Sequence, residues 1–269
     1  MGMKAQGFRL ILSRVLLISN NFTGTRMLRI AIFAACISIP VMAQAITIQP
    51  ATPEPATEIR TFALRSGGSL KINSTNGAIK IFGWDKNEAA LTARFRPNRK
   101  KEHSKIEINS DDNSLELNIT HPKELRRSGY VNLELSVPGN ISGDIKTVNG
   151  SIALSGITGT INVKTTSGSI ILENISGNIS ASTAFGNVSG NIQNIEDNLY
   201  ITTINGNIDL KLPNPNGDFS ASALHGEIKF PPEAKDVETS GTNRNTIKAK
   251  YDGNAKMKFI TNFGSITIQ

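Results

Sequence analysis

Between residues 150 and 230 apolar and polar positions alternate in short runs, each restarted by a glycine. The glycines stand at 150, 159, 168, 177 and 186, a strict nine-residue spacing. After a two-residue slip at Asp197 the series resumes at Gly206, Gly217 and Gly226, and an earlier pair, Gly68 and Gly77, has the same spacing. Two residues after each turn residue the side chain is apolar: Ile152, Ile161, Ile170, Ile179, Val188, Leu199, Ile208, Phe219, Ile228. Two further on stand Leu154, Val163, Leu172, Ala181, Gly190, Ile201, Leu210, Ala221 and Phe230. This is the period of a strand with one buried face. A third inward position, seven after the turn, is expected to hold Ile157, Ile175, Ile204 and Leu224, with the smaller Thr166 and Ala184 between them.

One nine-residue unit buries only two or three side chains, too few to offset the entropy of ordering its backbone. Stacking units at about 4.8 Å lets their Ile, Leu and Val side chains form one continuous core. The pattern therefore predicts an all-β chain whose residues 138–269 form a parallel β-solenoid, with 18–20 residues and two nine-residue units per coil. An antiparallel meander is the competing arrangement, and the third inward position argues against it because each unit then turns a corner. Residues 88–95, 105–109, 114–119 and 131–137 alternate as ordinary strands, with Ser110-Asp111-Asp112-Asn113 as a turn between the middle two. Residues 61–137 are accordingly expected to be a strand-rich cap over the solenoid end, which would otherwise template aggregation. Phe259 to Gln269 repeats the Asn-x-Gly-Ser-Ile pattern and is expected to close or pair with the last coil.

The N-terminal region changes how the composition is understood. From Met27 the chain has a secretory order: Arg29, an apolar stretch over 30–41 broken by Pro40, and Ala43-Gln44-Ala45 as a small-residue cleavage site. Residues 1–45 are taken as leader with Met27 as the start, cleavage falling after Ala45 or, second, after Ala43. Residues 1–26 are taken as upstream translation; a signal anchor and a lipoprotein cysteine at Cys36 are the competing readings. Residues 46–60, with Pro50, Pro53 and Pro55, are expected to form a stiff linker. Five basic residues (Lys4, Arg9, Arg14, Arg26, Arg29) and no acidic one precede residue 46, so removing the leader takes the net charge from +7 to +2. The case for nucleic acid then lapses. Cys36 is the only cysteine, so the exported chain would hold no disulfide and no thiol site. No apolar run after residue 45 is long enough for a spanning helix.

The units Thr147-Val148-Asn149-Gly150-Ser151-Ile152, Thr165-Thr166-Ser167-Gly168-Ser169-Ile170 and Thr202-Thr203-Ile204-Asn205-Gly206-Asn207-Ile208 carry a resemblance. They resemble the recurring Thr-Val-Ser-Gly-Asp-Ile element of the bacterial putative adhesin family, Gly/Ile-repeat β-solenoid domains of unknown function. Residues 76–84, from Asn76 to Trp84, are similar to its opening segment, and Val137-Pro138 to its lead-in to the repeats. The likeness spans 61–269. It departs after the glycine, where the family often has Asp and this chain mostly has Ser, Asn or Thr. The resemblance implies a solenoid fold and, through the family's name, attachment at a surface.

Candidate chemistry adds little to this picture. Calcium-binding β-rolls need Gly-Gly-x-Gly-x-Asp turns, whereas here Asp144, Asp197 and Asp218 stand singly. Glu173 and Asp209 occupy outward positions of equivalent units two coils apart, about 10 Å at the usual strand spacing, near the upper end for an inverting carboxylate pair. Solvated surface carboxylates are the simpler reading. His103, His121 and His225 lack metal-ligand spacing, and no cofactor or catalytic residue is expected. The basic run Arg94, Arg96, Arg99, Lys100, Lys101 and Lys105 is a candidate polyanion-binding patch, against the alternative of a solvated connection. Trp84 falls in the inward register and is expected to plug the core. The outward Ser, Asn and Thr residues suit weak multivalent contact with glycans or protein, and equally suit solubility. The sequence thus points to a non-catalytic extracytoplasmic solenoid serving as an adhesion or interaction surface in the cell envelope. Its partners would be envelope glycans or a membrane protein, and its place periplasmic, cell-surface or secreted. A structural or envelope-stress accessory protein and a carbohydrate-active enzyme are the alternatives.

Overall fold

Short alternating segments rich in Ile, Val and Thr, each ended by a glycine corner, give strands. The computed structural model describes residues 44–48, 56–96, 104–121, 129–241 and 245–269, all within the unit Pro40–Gln269. These residues form twenty strands and no helix. The strands are β1 (Gln44–Ile48), β2 (Ala56–Ala63), β3 (Ser69–Asn73), β4 (Ile79–Trp84), β5 (Glu88–Arg96), β6 (Lys105–Ser110) and β7 (Ser114–Thr120). They continue with β8 (Tyr130–Pro138), β9 (Ser142–Lys146), β10 (Ile152–Ser155), β11 (Thr158–Ser167), β12 (Ile170–Phe185), β13 (Val188–Asn205) and β14 (Ile208–Lys211). The last six are β15 (Asp218–His225), β16 (Ile228–Lys229), β17 (Lys235–Ser240), β18 (Thr246–Lys250), β19 (Lys256–Phe263) and β20 (Ile266–Ile268).

Pairing links all of them into one sheet folded back on itself as two faces, a β-solenoid-like arrangement. One face runs β1, β6, β7, β3, β9, β11, β12, β13, β19, β15, β18, β17. The other runs β2, β5, β8, β4, β10, β12, β13, β14, β20, β16. β12 and β13 turn a corner and serve both. Pairing is parallel through the middle and antiparallel only at the two ends. Ile152 pairs with Ile170 and Ile170 with Val188, steps of 18 residues; Ile179 pairs with Leu199 and Val188 with Ile208, steps of 20. The change of step is the slip at Asp197, taken up where β12–β13 pairing shifts register between Gly177 and Ile179. The inward columns, such as Ile79, Ile152, Ile170, Val188, Ile208 and Ile266, are fully buried in one core.

Coils do not stack in chain order. β3 and β4, within the segment expected to be cap, pair in parallel between β7–β8 and β9–β10, so the first coil in sequence is the second in space. At the other end β19 lies between β13 and β15, and β20 between β14 and β16. The C-terminal segment therefore pairs with the last coil, β15 and β16, and also with the preceding one, β13 and β14. There the core turns aromatic, with the Phe219 ring 5.3 Å from Phe259, 5.8 Å from Phe230 and 6.1 Å from Tyr251. A cleft of about 850 Å³, lined by Pro231, Pro232, Phe230 and Tyr251 among others, opens beside this cluster. β1 and the start of β2 occupy ends of the stretch expected to be linker.

Two expectations about the core need correction. Ile157 and Ile175 are buried, but Ile204 is 44% and Leu224 55% exposed. The first pair follows strands of one face and the second pair strands of the other. On the second, the sixth residue after the turn points inward, so the seventh must point out. Trp84 is only half-buried and is no core plug: its indole Nε1 donates to the Glu88 carbonyl at 2.8 Å and Lys86 Nζ lies 4.7 Å over the ring.

Candidate interaction surface

One corner of the coil is built the same way on four successive passages. Thr165, Thr183, Thr203 and Thr261 point inward, buried, and each donates its hydroxyl to a glycine carbonyl of the neighbouring coil: Gly150, Gly168, Gly186 and Gly206, at 2.9–3.0 Å. These bonds satisfy backbone acceptors where the chain leaves one face for the other. The glycines stack directly on one another. A Cβ on Gly186 would lie 2.2 Å from the Gly168 carbonyl oxygen, and one on Gly206 1.9 Å from that of Gly186. Close approach of backbones demands glycine at these corners.

The residue after the glycine completes the corner. Asn187 Oδ1 accepts the Asn207 N–H at 2.9 Å, and Asn207 Oδ1 accepts the Ser265 N–H at 2.9 Å. Asn178 does the same at the opposite corner, accepting from Asp197 and Asn198 at 3.1 and 3.0 Å. Several of the short polar side chains on the outer surface therefore hold coil to coil. An acceptor oxygen is what the position requires, and Ser or Asn provides it as well as Asp.

Because Thr183, Thr203, Thr261 and, in the last coil, Ala223 point inward, the next two residues of each of these passages are displayed at the corner. Pairing places Phe185, Asn205, Phe263 and His225 in one column across four successive coils. Phe185 is 57% exposed, Phe263 55%, and Ile204 and Leu224 stand beside them in the adjoining positions. His225 stacks on Phe263, with ring centres 4.9 Å apart and planes at 12°. At about 4.8 Å per coil the strip runs roughly 14 Å from Phe185 to His225. Single exposed apolar residues are ordinary, but several at one corner of successive coils, interrupted only by Asn205 and Asn262, form the kind of patch that marks an interaction site. The sequence reading missed it by assigning Ile204 and Leu224 inward; strict alternation from Ile201 through Thr203 would have found it.

The expected polyanion residues are distributed differently. Arg94 and Arg96 point outward from β5; Arg94 pairs with Glu134 at 3.2 Å, and Arg96 donates to the Tyr130 hydroxyl at 2.9 Å and packs over that ring. Lys105 points outward from β6 on the other face. Arg99, Lys100 and Lys101 lie outside the described residues. Glu173 and Asp209 fall in different columns: Glu173 aligns with Asn191 and Lys211, Asp209 with Ser189 and Ile171. Two coils and two residues apart, their backbones are about 12 Å from each other. Among the described residues no three His, Cys, Asp or Glu side chains converge as a metal site would require, and no helix is long and apolar enough to cross a membrane.

Among the described residues, burial is the main perturbation of two ionisable groups. Burial lowers the His121 imidazole below its ordinary value; its Nε2 accepts the Asn76 N–H at 3.3 Å, which leaves Nδ1 to donate to Ser104 Oγ at 2.6 Å. Burial, reinforced by the Glu233 carboxylate, pushes the Tyr251 phenol up to about 12, and its hydroxyl donates to the Pro231 carbonyl at 3.1 Å.

Among solved structures, a "putative cell adhesion protein" from Clostridium sporogenes is similar at 17% identity over 80% of this chain and 99% of its own, with a TM-score of 0.48. A "putative adhesin" from Bacteroides fragilis is similar at 13% identity over 81% of this chain and 99% of its own, with a TM-score of 0.33. A "putative lipid binding protein" from Parabacteroides distasonis follows at 11% identity, 79% and 94% coverage, and a TM-score of 0.25. No curated protein matches the chain. Residues 37–269, nearly all of the chain, match the Toastrack DUF4097 family, to which this protein therefore belongs.

Proposed function

We propose that this protein is an exported, non-catalytic scaffold that presents an interaction surface in the cell envelope. The observation that carries the reading is the corner strip of Phe185, Ile204, Phe263, Leu224 and His225, held in register by strand pairing and by the inward column Thr183, Thr203, Thr261 and Ala223 beneath it. Its backbone is held by parallel pairing with neighbouring coils, so binding there requires no ordering of the chain. The secretory order of residues 27–45 supports export, and the two 18–20-residue steps support a coil of two nine-residue units.

The test is retention of the tagged protein on native envelope fractions, comparing wild type with Phe185→Ser/Phe263→Ser. Both positions are exposed, so the variant is expected to melt like wild type and to lose retention. Equal retention of wild type and variant would overturn the assignment of the strip, and no retention of wild type would overturn the envelope role. Recovery of one stoichiometric membrane protein would identify the accessory reading; retention on protein-free glycans would identify adhesion. The basic run from Arg94 to Lys105 is a second candidate contact, for envelope polyanions, supported by its outward arginines. Lys100→Glu/Lys101→Glu is expected to weaken any salt-sensitive part of the retention.

A further inference from the structure

Each face of the sheet ends in an edge strand at either end, and four different edges result. β17 is bulged between Lys235 and Glu238, with Asp236 at φ 49°, which spoils it as a template. β16 has two residues and is followed within one residue by Pro231-Pro232. β1 has five residues. β2 differs from all three. It pairs with β5 without a register shift from Ala56 to Ala63 and with no second strand among the described residues. It also carries Ile59, at 69% the most exposed large apolar side chain among the described residues.

We infer that β2 pairs with β2 of a second copy of this chain, antiparallel and centred on Ile59, joining two solenoids at their N-terminal ends. The charges on the strand select this occupant. Glu58 and Arg60 align with the buried Ala93 and Leu91 of β5, so both project over the inner side of the sheet, 3.6 Å from each other. Inward charges on an edge strand ordinarily discourage pairing, because a strange strand leaves them unmatched. Antiparallel pairing about Ile59 matches them: Glu58 faces the partner's Arg60, and Arg60 the partner's Glu58. The same register sets Ile59 against its counterpart on the outer side and Thr57 against Thr61.

Other registers lose this match. Centring on Glu58 or on Arg60 sets like charges opposite each other, and a one-residue slip turns every side chain to the wrong side. The interface is isologous, so it closes at two copies instead of growing into a fibre.

The experiment uses the chain with Cys36→Ser, which removes its only cysteine. Facing residues on paired strands lie about 4.5–5.5 Å apart at Cβ, within reach of a disulfide or a short bis-thiol linker. Ile59→Cys is expected to give a covalent dimer on oxidation. Thr57→Cys and Thr61→Cys are each expected to stay uncross-linked alone and to cross-link when mixed. In sedimentation equilibrium without cross-linking, Arg60→Glu is expected to weaken dimerisation roughly tenfold or more, since two matched pairs become repulsive. Glu58→Arg/Arg60→Glu restores the alternation and is expected to recover the dimer. A wild-type chain monomeric at all concentrations, a dimer indifferent to Arg60→Glu, or efficient self-linking through Thr57→Cys would each overturn the inference.

Discussion

Thr183 and Thr147 occupy the same inward position two coils apart, and the structure gives them opposite energetic roles. Thr183 is 2% exposed and donates to the Gly168 carbonyl at 2.9 Å; Thr147 is 5% exposed and its hydroxyl has no partner among the described residues. Valine has nearly the same shape and cannot donate. Thr183→Val leaves a buried carbonyl short of a donor, a cost of about 1–3 kcal/mol, against which one extra buried methyl returns up to about 0.8 kcal/mol. A net loss of about 1–2 kcal/mol is expected. Thr147→Val removes a buried hydroxyl that makes no bond, so a gain of about 1 kcal/mol is expected. The two variants should straddle wild type in urea unfolding midpoint with an unchanged slope, and differ in melting temperature by roughly 4–12 °C at about 2–4 °C per kcal/mol. If Thr147→Val costs as much as Thr183→Val, the hydroxyl-to-glycine ladder is not what stabilises the corner.

Gly186→Ala is expected to destabilise by more than about 3 kcal/mol, because its Cβ would meet the Gly168 carbonyl oxygen at 2.2 Å and neither backbone can yield without breaking the stack; a melting temperature within about 3 °C of wild type would contradict this. Tyr251 holds its proton to about pH 12 in the folded chain, whereas the unfolded phenol releases it near pH 10, so its contribution is complete below pH 10 and falls as pH rises to 12. Wild type should therefore lose about 2 kcal/mol more than Tyr251→Phe between pH 10 and 12, and parallel losses would refute the assignment. His121 titrates below its ordinary 6.5 when folded, so its contribution is present above that value and is lost as pH falls through the lower folded value. An NMR titration of His121 with a midpoint at or above 6.5 would contradict its burial.

The corners and the inward columns were legible because glycine at a close backbone approach and alternating Ile/Leu positions each have one physical meaning, and the β-rich character followed from them. The role of threonine was less legible: its hydroxyl is short and polar, and nothing local says that it reaches a glycine carbonyl contributed by a different coil. The strip depended on that assignment, since putting Thr203 inward is what sends Ile204 out. The stacking order could not be read at all. Residues 206–210 and 264–268 have nearly the same pattern, Gly-Asn-Ile-Asp-Leu and Gly-Ser-Ile-Thr-Ile, so either can lie against either neighbour. In the structure β19 takes the inner edge of β15, and β18 with β17 extends the same face from its outer edge as an antiparallel hairpin.

That insertion puts Phe263 between Asn205 and His225 and so makes it part of the corner strip. Coils stacked in chain order would place Tyr200 beside Ser220, 20 residues on; the inserted β19 instead places Lys258 between them, paired with both. Cysteine pairs at these outward positions decide the matter in the chain with Cys36→Ser. Tyr200→Cys with Lys258→Cys, and Lys258→Cys with Ser220→Cys, are predicted to form intramolecular cross-links rapidly, and Tyr200→Cys with Ser220→Cys is predicted not to. Rapid cross-linking of the last pair, with none in the first two, would contradict the stack described here.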